Sequence, residues 1–594
     1  MKDKQRSSVL NRKKGTFGQG NKDELKLVQK ELDEVLKKEK ELYKQKIEQN
    51  FTKNNMKQVW AGMRMMSGYM NATSKSSKLP DTSVEYANKL NVFYNRFDCH
   101  DFSREAADLQ NILSTSETNS HSFLTVSVDE VREEFSKLNS SKAAGPDGLL
   151  PCVVKNCANE LAYIFASIFN LSFRTQTVPT VWKQSCIIPV PKKPTITCFN
   201  DLRPVALTSV AMKICERFAL KFLKPMVNNY LDPLQFAYRS KRSTEDAILY
   251  TLENLYSHLE YTKLGYSSRI MFFDFSSAFN TIQPHILARK LLEMNVRHDF
   301  ILWICNYLTN RSQYVKICSS NNVSHSITSN TGAPQGTVLA PFLFTLYTSD
   351  ARSTNSNCTL VKFADDTALL GLIKNDDDTA YLDQINHFTN YCDQNFLELN
   401  VNKTKEMVID FRKSHVVSNE VIIKGGVVER VDNYKYLGVL LDSRLSWHDH
   451  IDMLMKKLNS RMYCLRAMNR FNVQSKILAM FYKSVICGVW QYNLVSWGGN
   501  VRKEDEQRID AMIMQAGRVI GISQPSMGTS YKELLGNKLD NILRNDEHPL
   551  HTYLDRAVIP RSGRMRLPLA NTNRHPSSFI PQCIKLHNFN FKRS

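Results

Sequence analysis

Two adjacent aspartates, Asp365 and Asp366, interrupt the strand-like run Val361-Lys362-Phe363-Ala364-Asp365-Asp366-Thr367-Ala368-Leu369-Leu370, and the sequence places them at a hairpin tip. Upstream, Arg269-Ile270-Met271-Phe272-Phe273 delivers a third carboxylate, Asp274, at the end of another apolar run. Three carboxylates on two strand ends suit a two-metal site, in which ions roughly 3.5–4 Å apart clamp the attacking and leaving oxygens of an in-line phosphoryl displacement. Mg²⁺ takes few protein carboxylates and completes its octahedron with waters and substrate phosphates, so three aspartates suffice. Taken alone, Asp365-Asp366 also reads as a plain turn between half-buried strands, because Asp is a common turn former.

Order and context narrow the reading. The chain carries, in sequence, Ser140-Ser141-Lys142-Ala143-Ala144-Gly145-Pro146-Asp147-Gly148-Leu149, Ile187-Ile188-Pro189-Val190-Pro191-Lys192-Lys193, Arg203-Pro204-Val205-Ala206-Leu207-Thr208-Ser209 and Gln235-Phe236-Ala237-Tyr238-Arg239. The Asp274 strand follows, then Gly332-Ala333-Pro334-Gln335-Gly336-Thr337-Val338-Leu339-Ala340-Pro341 and the Asp365-Asp366 hairpin. Asn402-Lys403-Thr404-Lys405 and Tyr434-Lys435-Tyr436-Leu437-Gly438-Val439 close the series. This ordered set, over roughly residues 126 to 442, resembles the reverse transcriptases of LINE-type (non-LTR) retrotransposons, and an ordered set is far more specific than any one short motif.

The resemblance implies roles. Asp274, Asp365 and Asp366 would be the catalytic metal ligands, for Mg²⁺ or Mn²⁺, with deoxynucleoside triphosphates as substrates. Phe279, five residues after Asp274, would block a ribose 2′-OH; viral-type RNA polymerases usually place a polar residue there, and an ordinary core aromatic would read the same way. Gln335 and Gly336 would contact the incoming nucleotide, with Pro before and Gly after aiming the glutamine amide; a tight turn into the apolar helix expected over Val338–Tyr347 explains the same residues. Arg203, extended because it precedes Pro204, would reach the triphosphate. Lys403 or Lys405 would protonate the leaving pyrophosphate, with Lys403 preferred, and Tyr436-Leu437-Gly438 would form a primer-gripping hairpin or a plain strand.

Composition points to a polyanionic partner. The chain holds 78 Lys+Arg against 58 Asp+Glu, a net charge of +20, the electrostatic footprint of a protein that neutralises phosphates. The excess concentrates at the ends: residues 1–60 carry 16 basic and 9 acidic side chains, and residues 556–594 carry 8 basic and no acidic ones. The longest near-apolar stretch, Ala333–Tyr347, falls short of the roughly 18 residues a membrane span needs. The polar start Met1-Lys2-Asp3-Lys4-Gln5-Arg6 and 13 scattered cysteines argue against secretion and for a nuclear or cytoplasmic location. Cys152 and Cys157 have no knuckle spacing, and His448-Asp449-His450 reads as surface loop.

The chain length of 594 residues supports several cores. A solvent-laced helix is expected over 23–50, where Leu25, Val28, Leu32, Val35 and Leu42 approach heptad spacing, and Ser/Thr/Asn-rich linkers over 71–82 and 113–121. The resemblance implies an α+β right hand: a basic helical N-terminal extension (1–125), fingers and palm (126–442), a helical thumb-like region (443–555) in which Ile451, Leu454, Leu458 and Met462 are periodic, and a basic tail (556–594), irregular from Arg561. The implied activity is RNA-directed DNA polymerisation, extending a DNA primer or nicked target on an RNA template. Two alternatives stand beside it: a catalytically silent, truncated remnant that binds RNA, and an RNA-dependent RNA polymerase, against which Phe279 argues. No segment before residue 126 has room for the family's DNA-nicking endonuclease beside the expected helix, so a polymerase-only or 5′-truncated copy is expected.

Overall fold

The computed structural model describes residues 8–9, 11–13, 22–52, 58–59, 79–115, 124–261, 265–412 and 419–591. The N-terminal residues 1–7 and most of the two expected linkers, 71–78 and 116–121, lie outside the described residues. The chain divides into two compact units, one of residues 1–74 and 445–540, the other of residues 75–444 and 541–594.

The larger unit is α+β. Its strands are β1 (Ser185–Pro191), β2 (Leu202–Thr208), β3 (Ser267–Phe273), β4 (Arg311–Ile317), β5 (Asn322–Val323), β6 (Ile327–Ser329), β7 (Cys358–Phe363), β8 (Asp366–Ile373), β9 (Lys405–Ile409), β10 (Ile422–Ile423), β11 (Gly426–Val427), β12 (Glu429–Arg430), β13 (Asn433–Tyr436) and β14 (Val439–Asp442). The central sheet has the order β12-β9-β3-β8-β7, and a second sheet runs β2-β1-β4-β5 with β6 also on β4. In the central sheet β3 is antiparallel to β8, from Ser267↔Ile373 to Phe273↔Thr367, and antiparallel to β9, from Ser268↔Ile409 to Phe272↔Lys405.

All seven residues of β3 are buried, because both of its faces are covered. Phe272 stacks under Tyr434, with ring centroids 3.9 Å apart, and Phe273 packs on Phe388 of the helix Thr379–Gln394 from the opposite face, as the strand's two-residue period demands. Arg269 is the exception to the apolar run and is only 1% exposed. Its guanidinium binds Glu406 on β9 (Nε to Oε1, 2.8 Å), Asp378, and the carbonyl of Asn419 (3.0 Å), while Glu406 also accepts from Arg430 (3.0 Å) and from the Tyr381 hydroxyl (3.2 Å). A buried charge is tolerated only when paired and hydrogen-bonded in this way.

The C-terminal segment departs from the irregular tail expected beyond Arg561. It ends in a helix, Phe579–Phe591, with Phe579, Ile580, Cys583 and Ile584 buried. Those four residues have the i, i+1, i+4, i+5 spacing of a helical face, a signal hidden by the segment's basic composition. Glu260 accepts from the backbone N–H of Thr572 (3.0 Å), and the buried His548 pairs with Asp246 (2.9 Å), so the segment is tied to the helix Thr244–Leu259.

The other unit is helical. The first expected helix appears as Lys22–Thr52, with Val28 and Leu32 buried. Ile451, Leu454, Leu458 and Met462 line the buried face of His448–Arg470. His448-Asp449-His450 is thus the first turn of a helix and not a surface loop. His450 is buried beside Trp497 (ring centroids 5.2 Å), and burial pushes its imidazole down to about 4, a signal that the local sequence of polar residues could not give. No helix among the described residues is long and apolar enough to cross a membrane.

Replacing Arg269 by Met would strand Glu406 and Asp378 without their shared cation, and is expected to cost about 3–5 kcal/mol. Denaturant unfolding of wild type and Arg269→Met measures the difference; a loss below about 1 kcal/mol would contradict this account of the network.

Candidate active site

The register of the central sheet decides where the carboxylates meet. Asp274 follows the last residue of β3, and Phe273 lies opposite Thr367, the residue after Asp366. Asp365 and Asp366 reach the same end of the sheet because β7 and β8 are joined by a two-residue turn, Ala364-Asp365, closed by the Phe363↔Asp366 pair. Past the strand, the chain stays tethered to the segment before β9. Asn400 N–H donates to the Asp274 carbonyl (2.8 Å), Ser276 N–H to that of Glu398 (2.8 Å), and Asp274 N–H to the Thr404 hydroxyl (3.3 Å). The intervening turn carries Lys403, whose Nζ stands 3.5 Å from Asp274 Oδ2.

The three carboxyls feel one another. Desolvation at the hairpin tip, with the charges of Asp365 and Asp274, pushes Asp366 up to about 6. Asp365 is raised by burial and by Asp274, against a smaller lowering from Arg203. Asp274 Oδ2 is buried and accepts no hydrogen bond. Like charge that the Lys403 ammonium, 3.5 Å from Asp274 Oδ2, and Arg203 offset only in part, together with a buried oxygen that accepts no hydrogen bond, is the donor chemistry a hard divalent cation relieves, so these residues fit Mg²⁺. Among the described residues no three His, Cys, Asp or Glu side chains are grouped closely enough to hold a metal ion.

The remaining expected residues line two flanks. Arg203 is exposed on β2, paired in register with Val190 of β1. Gln335 is held on the same strand by its carbonyl, which accepts from Ala206 N–H (2.9 Å). Gly336, at φ +118°, passes so close that a Cβ would lie 3.0 Å from the Ala206 carbonyl oxygen. Gly332, at φ +75°, presses on Asn280, whose Cα would stand 2.6 Å from any Cβ there. This loop is clasped to Phe279 by a hydrogen bond from Ala333 N–H to the Phe279 carbonyl (2.8 Å). The half-buried Phe279 ring packs on Phe344 (5.4 Å) of the helix Ala340–Tyr347, which starts two residues later than the expected Val338; just before it, Val338 N–H and Leu339 N–H donate to the buried carboxyl of Glu216. Leu437 and Gly438 make the two-residue turn of the β13–β14 hairpin, at φ +45° and +92°, and Tyr436 is buried beside Phe272 (5.4 Å).

Sequence reasoning missed three neighbours. Lys192, quoted only within a strand motif, donates to the Asn200 carbonyl (2.7 Å), and its ammonium is lowered by burial and by the charges of Lys403 and Arg203. Tyr434 is pushed up to about 12 by burial and by Asp366 and Asp274. Tyr238 is raised by burial and by Asp365. Each stands in a quoted motif, but only the fold brings it to the carboxylates.

With this geometry in place, the comparisons with known proteins can be set beside it. Residues 190–441 match the reverse transcriptase (RNA-dependent DNA polymerase) family. The chain is 24% identical over 412 residues to the probable RNA-directed DNA polymerase from transposon BS of Drosophila melanogaster, covering 66% of this chain and 44% of that protein. It is 25% identical over 387 residues to the probable RNA-directed DNA polymerase from transposon X-element of the same fly, covering 62% and 41%. To the RNA-directed DNA polymerase from mobile element jockey it is 24% identical over 541 residues, 85% and 56%. The chain therefore spans about half the length of these curated relatives, and they agree with the resemblance to LINE-type (non-LTR) retrotransposon enzymes.

Glu216 supplies a pH test of the loop. Burial raises its carboxyl from 4.5 to about 7, against the lowering effect of hydrogen bonds from Val338, Leu339 and Tyr307. A raised folded value means that its contribution is fully present below the unfolded value of 4.5 and is lost as pH climbs through about 7. Relative to Glu216→Gln, the wild type is expected to lose about 2–3 kcal/mol of stability between pH 5 and pH 8. Thermal melts of the two proteins across that range check it, and parallel curves would contradict it.

Proposed function

We propose that this chain is an RNA-directed DNA polymerase of non-LTR retrotransposon type, extending a DNA 3′-hydroxyl along an RNA template. The observation that carries the reading is the approach of Asp274 to the Asp365-Asp366 hairpin at one end of the central sheet, where the charge of Asp274 helps hold the carboxyls of Asp365 and Asp366 above their ordinary values. The central sheet is the palm, the β2-β1-β4 sheet belongs to the fingers, and the helices of residues 445–540 are the thumb.

Asp274, Asp365 and Asp366 would hold two Mg²⁺, or Mn²⁺, which supply Lewis acidity for the attacking 3′-oxygen and the leaving pyrophosphate. Arg203 and Lys192 present positive charge to the triphosphate of a dNTP at the mouth of the site. Lys403, whose Nζ lies 3.5 Å from Asp274 Oδ2, would give its proton to the departing pyrophosphate. Phe279 would exclude a ribose 2′-OH, and Gln335 and Gly336, held against Ala206, would contact the incoming nucleotide. The Tyr436-Leu437-Gly438 hairpin holds the primer end, with its root anchored by Tyr434 on Phe272.

A cleft lined by Lys224, Arg239, Lys241, Arg242 and Arg544, with Asp546 and Glu547 among them, opens beside Tyr238, and its excess of basic side chains supports a nucleic-acid partner. Its charge complements the template and primer strands, and an intracellular setting follows from those substrates.

Extension of a DNA primer on an RNA template with dNTPs and Mg²⁺ tests the reading. Wild type is expected to extend, and Asp365→Ala/Asp366→Ala to lose activity on the order of a thousandfold or more while still binding primer–template. Binding without extension by wild type would favour a silent RNA-binding protein. In the same assay Phe279→Ala is expected to relax discrimination against ribonucleotides by roughly tenfold or more; unchanged selectivity would refute the gate.

A further inference from the structure

Gln235, the first residue of the motif Gln235-Phe236-Ala237-Tyr238-Arg239, has no part in the chemistry described so far, yet it touches the hairpin that bears Asp365 and Asp366. Ala364 precedes those aspartates and sits at φ +58°, a left-handed conformation that costs any residue with a Cβ. Glycine would adopt it freely, but this chain has alanine. Such a turn persists only where the surroundings over-determine it.

Gln235 is 1% exposed and its amide grips Ala364 at both of that residue's backbone groups. Its Oε1 accepts from Ala364 N–H (3.1 Å), and its Nε2 reaches the Ala364 carbonyl at the long limit of a hydrogen bond (3.5 Å). The same Oε1 accepts from Ala237 N–H (3.0 Å), which locks the glutamine's own loop. Backbone bonds on either side make the grip rigid: Phe236 N–H donates to the Lys362 carbonyl (2.8 Å), and Lys362 N–H to the Leu234 carbonyl (2.9 Å). Lys362 is itself anchored, its buried ammonium binding Asp232 (2.8 Å) and the carbonyls of Thr348 (2.6 Å) and Ala351 (2.8 Å).

We infer that Gln235 is a positioning residue: a buried amide clamp that holds Ala364 in the left-handed conformation and so fixes where Asp365 and Asp366 point. Gln235 touches no reacting atom and acts through the turn alone. The inference rests on the polymerase reading for its catalytic consequence, but the clamp itself is a property of the hairpin.

The test combines a turn that no longer needs the clamp with variants that remove it. Gln235→Met keeps the length and apolar packing but neither accepts nor donates. It is expected to lower kcat for primer extension on the order of tenfold to a hundredfold, with KM for dNTP and primer–template affinity within about twofold. Gln235→Glu keeps the acceptor for both N–H groups and puts a carboxyl oxygen in place of the donor that faces the Ala364 carbonyl, the longer of the two contacts; its kcat is expected to fall by severalfold. Adding Ala364→Gly, which makes the left-handed turn intrinsically accessible, is expected to restore roughly tenfold of the loss in the methionine variant.

Hydrogen exchange gives a second readout that needs no activity: the amide of Ala364 is expected to exchange faster in Gln235→Met than in wild type. Wild-type kcat in both single variants, a loss that Ala364→Gly leaves unchanged, or unaltered exchange at Ala364 would overturn the clamp. Absence of extension by wild type would overturn the polymerase reading instead, and the exchange measurement would still decide for or against the clamp.

Discussion

The pairing of β3 with β8 on one side and β9 on the other is the constraint on which the rest of the site depends. Asp274 and Asp365 are 91 positions apart in the chain, and Lys403 lies further on. One register of β3 against β8 sets Asp274 beside the hairpin, and the tether between Asp274 and Asn400 then presents Lys403. A slip of one residue in either ladder would turn Phe272 and Phe273 to the wrong faces, so core packing and catalytic geometry are enforced by the same contacts. Arg269 reinforces the register, because only the present alignment brings its guanidinium to Glu406 on β9 and to Asp378 at the start of the next helix.

Against that rigid sheet the electrostatics are opposed in sign. Three mutually repelling carboxyls sit at its end, and Arg203, Lys192 and Lys403 stand around them. The folded protein alone leaves the carboxyls under-compensated, with Asp366 raised to about 6, and divalent cations with a triphosphate would complete the balance. The loop of Gln335 is held by backbone contacts to β2 and to Phe279, and by Glu216 at the start of the helix that follows. Its position is thus fixed by packing within the protein itself.

Much of this was legible in the sequence because the informative residues fall in short ordered motifs. The strand carrying Asp274, the Asp365-Asp366 hairpin and the Lys403 turn all appear where their local patterns place them. The helix from His448 onward was legible from Ile451, but the burial of His450 between tryptophans was not, since polar letters carry no sign of a distant aromatic neighbour. The helix Phe579–Phe591 was hidden by basic composition. Gln235, Lys192 and Tyr434 were present in quoted motifs without a role, because what each does depends on contacts made across more than a hundred residues or between sheets. Long-range hydrogen bonds leave no periodicity to read.

The central claim, that one site gathers all three aspartates, is tested most directly by substituting Fe²⁺ for Mg²⁺ in the complex of the full chain with RNA template, DNA primer and dNTP, and mapping where the hydroxyl radicals it generates cut the backbone. The account predicts cuts at both the Asp274 and the Asp365–Asp366 segments, lost together in Asp274→Asn. Cuts at one segment only, or cuts at both that survive that substitution, would contradict it.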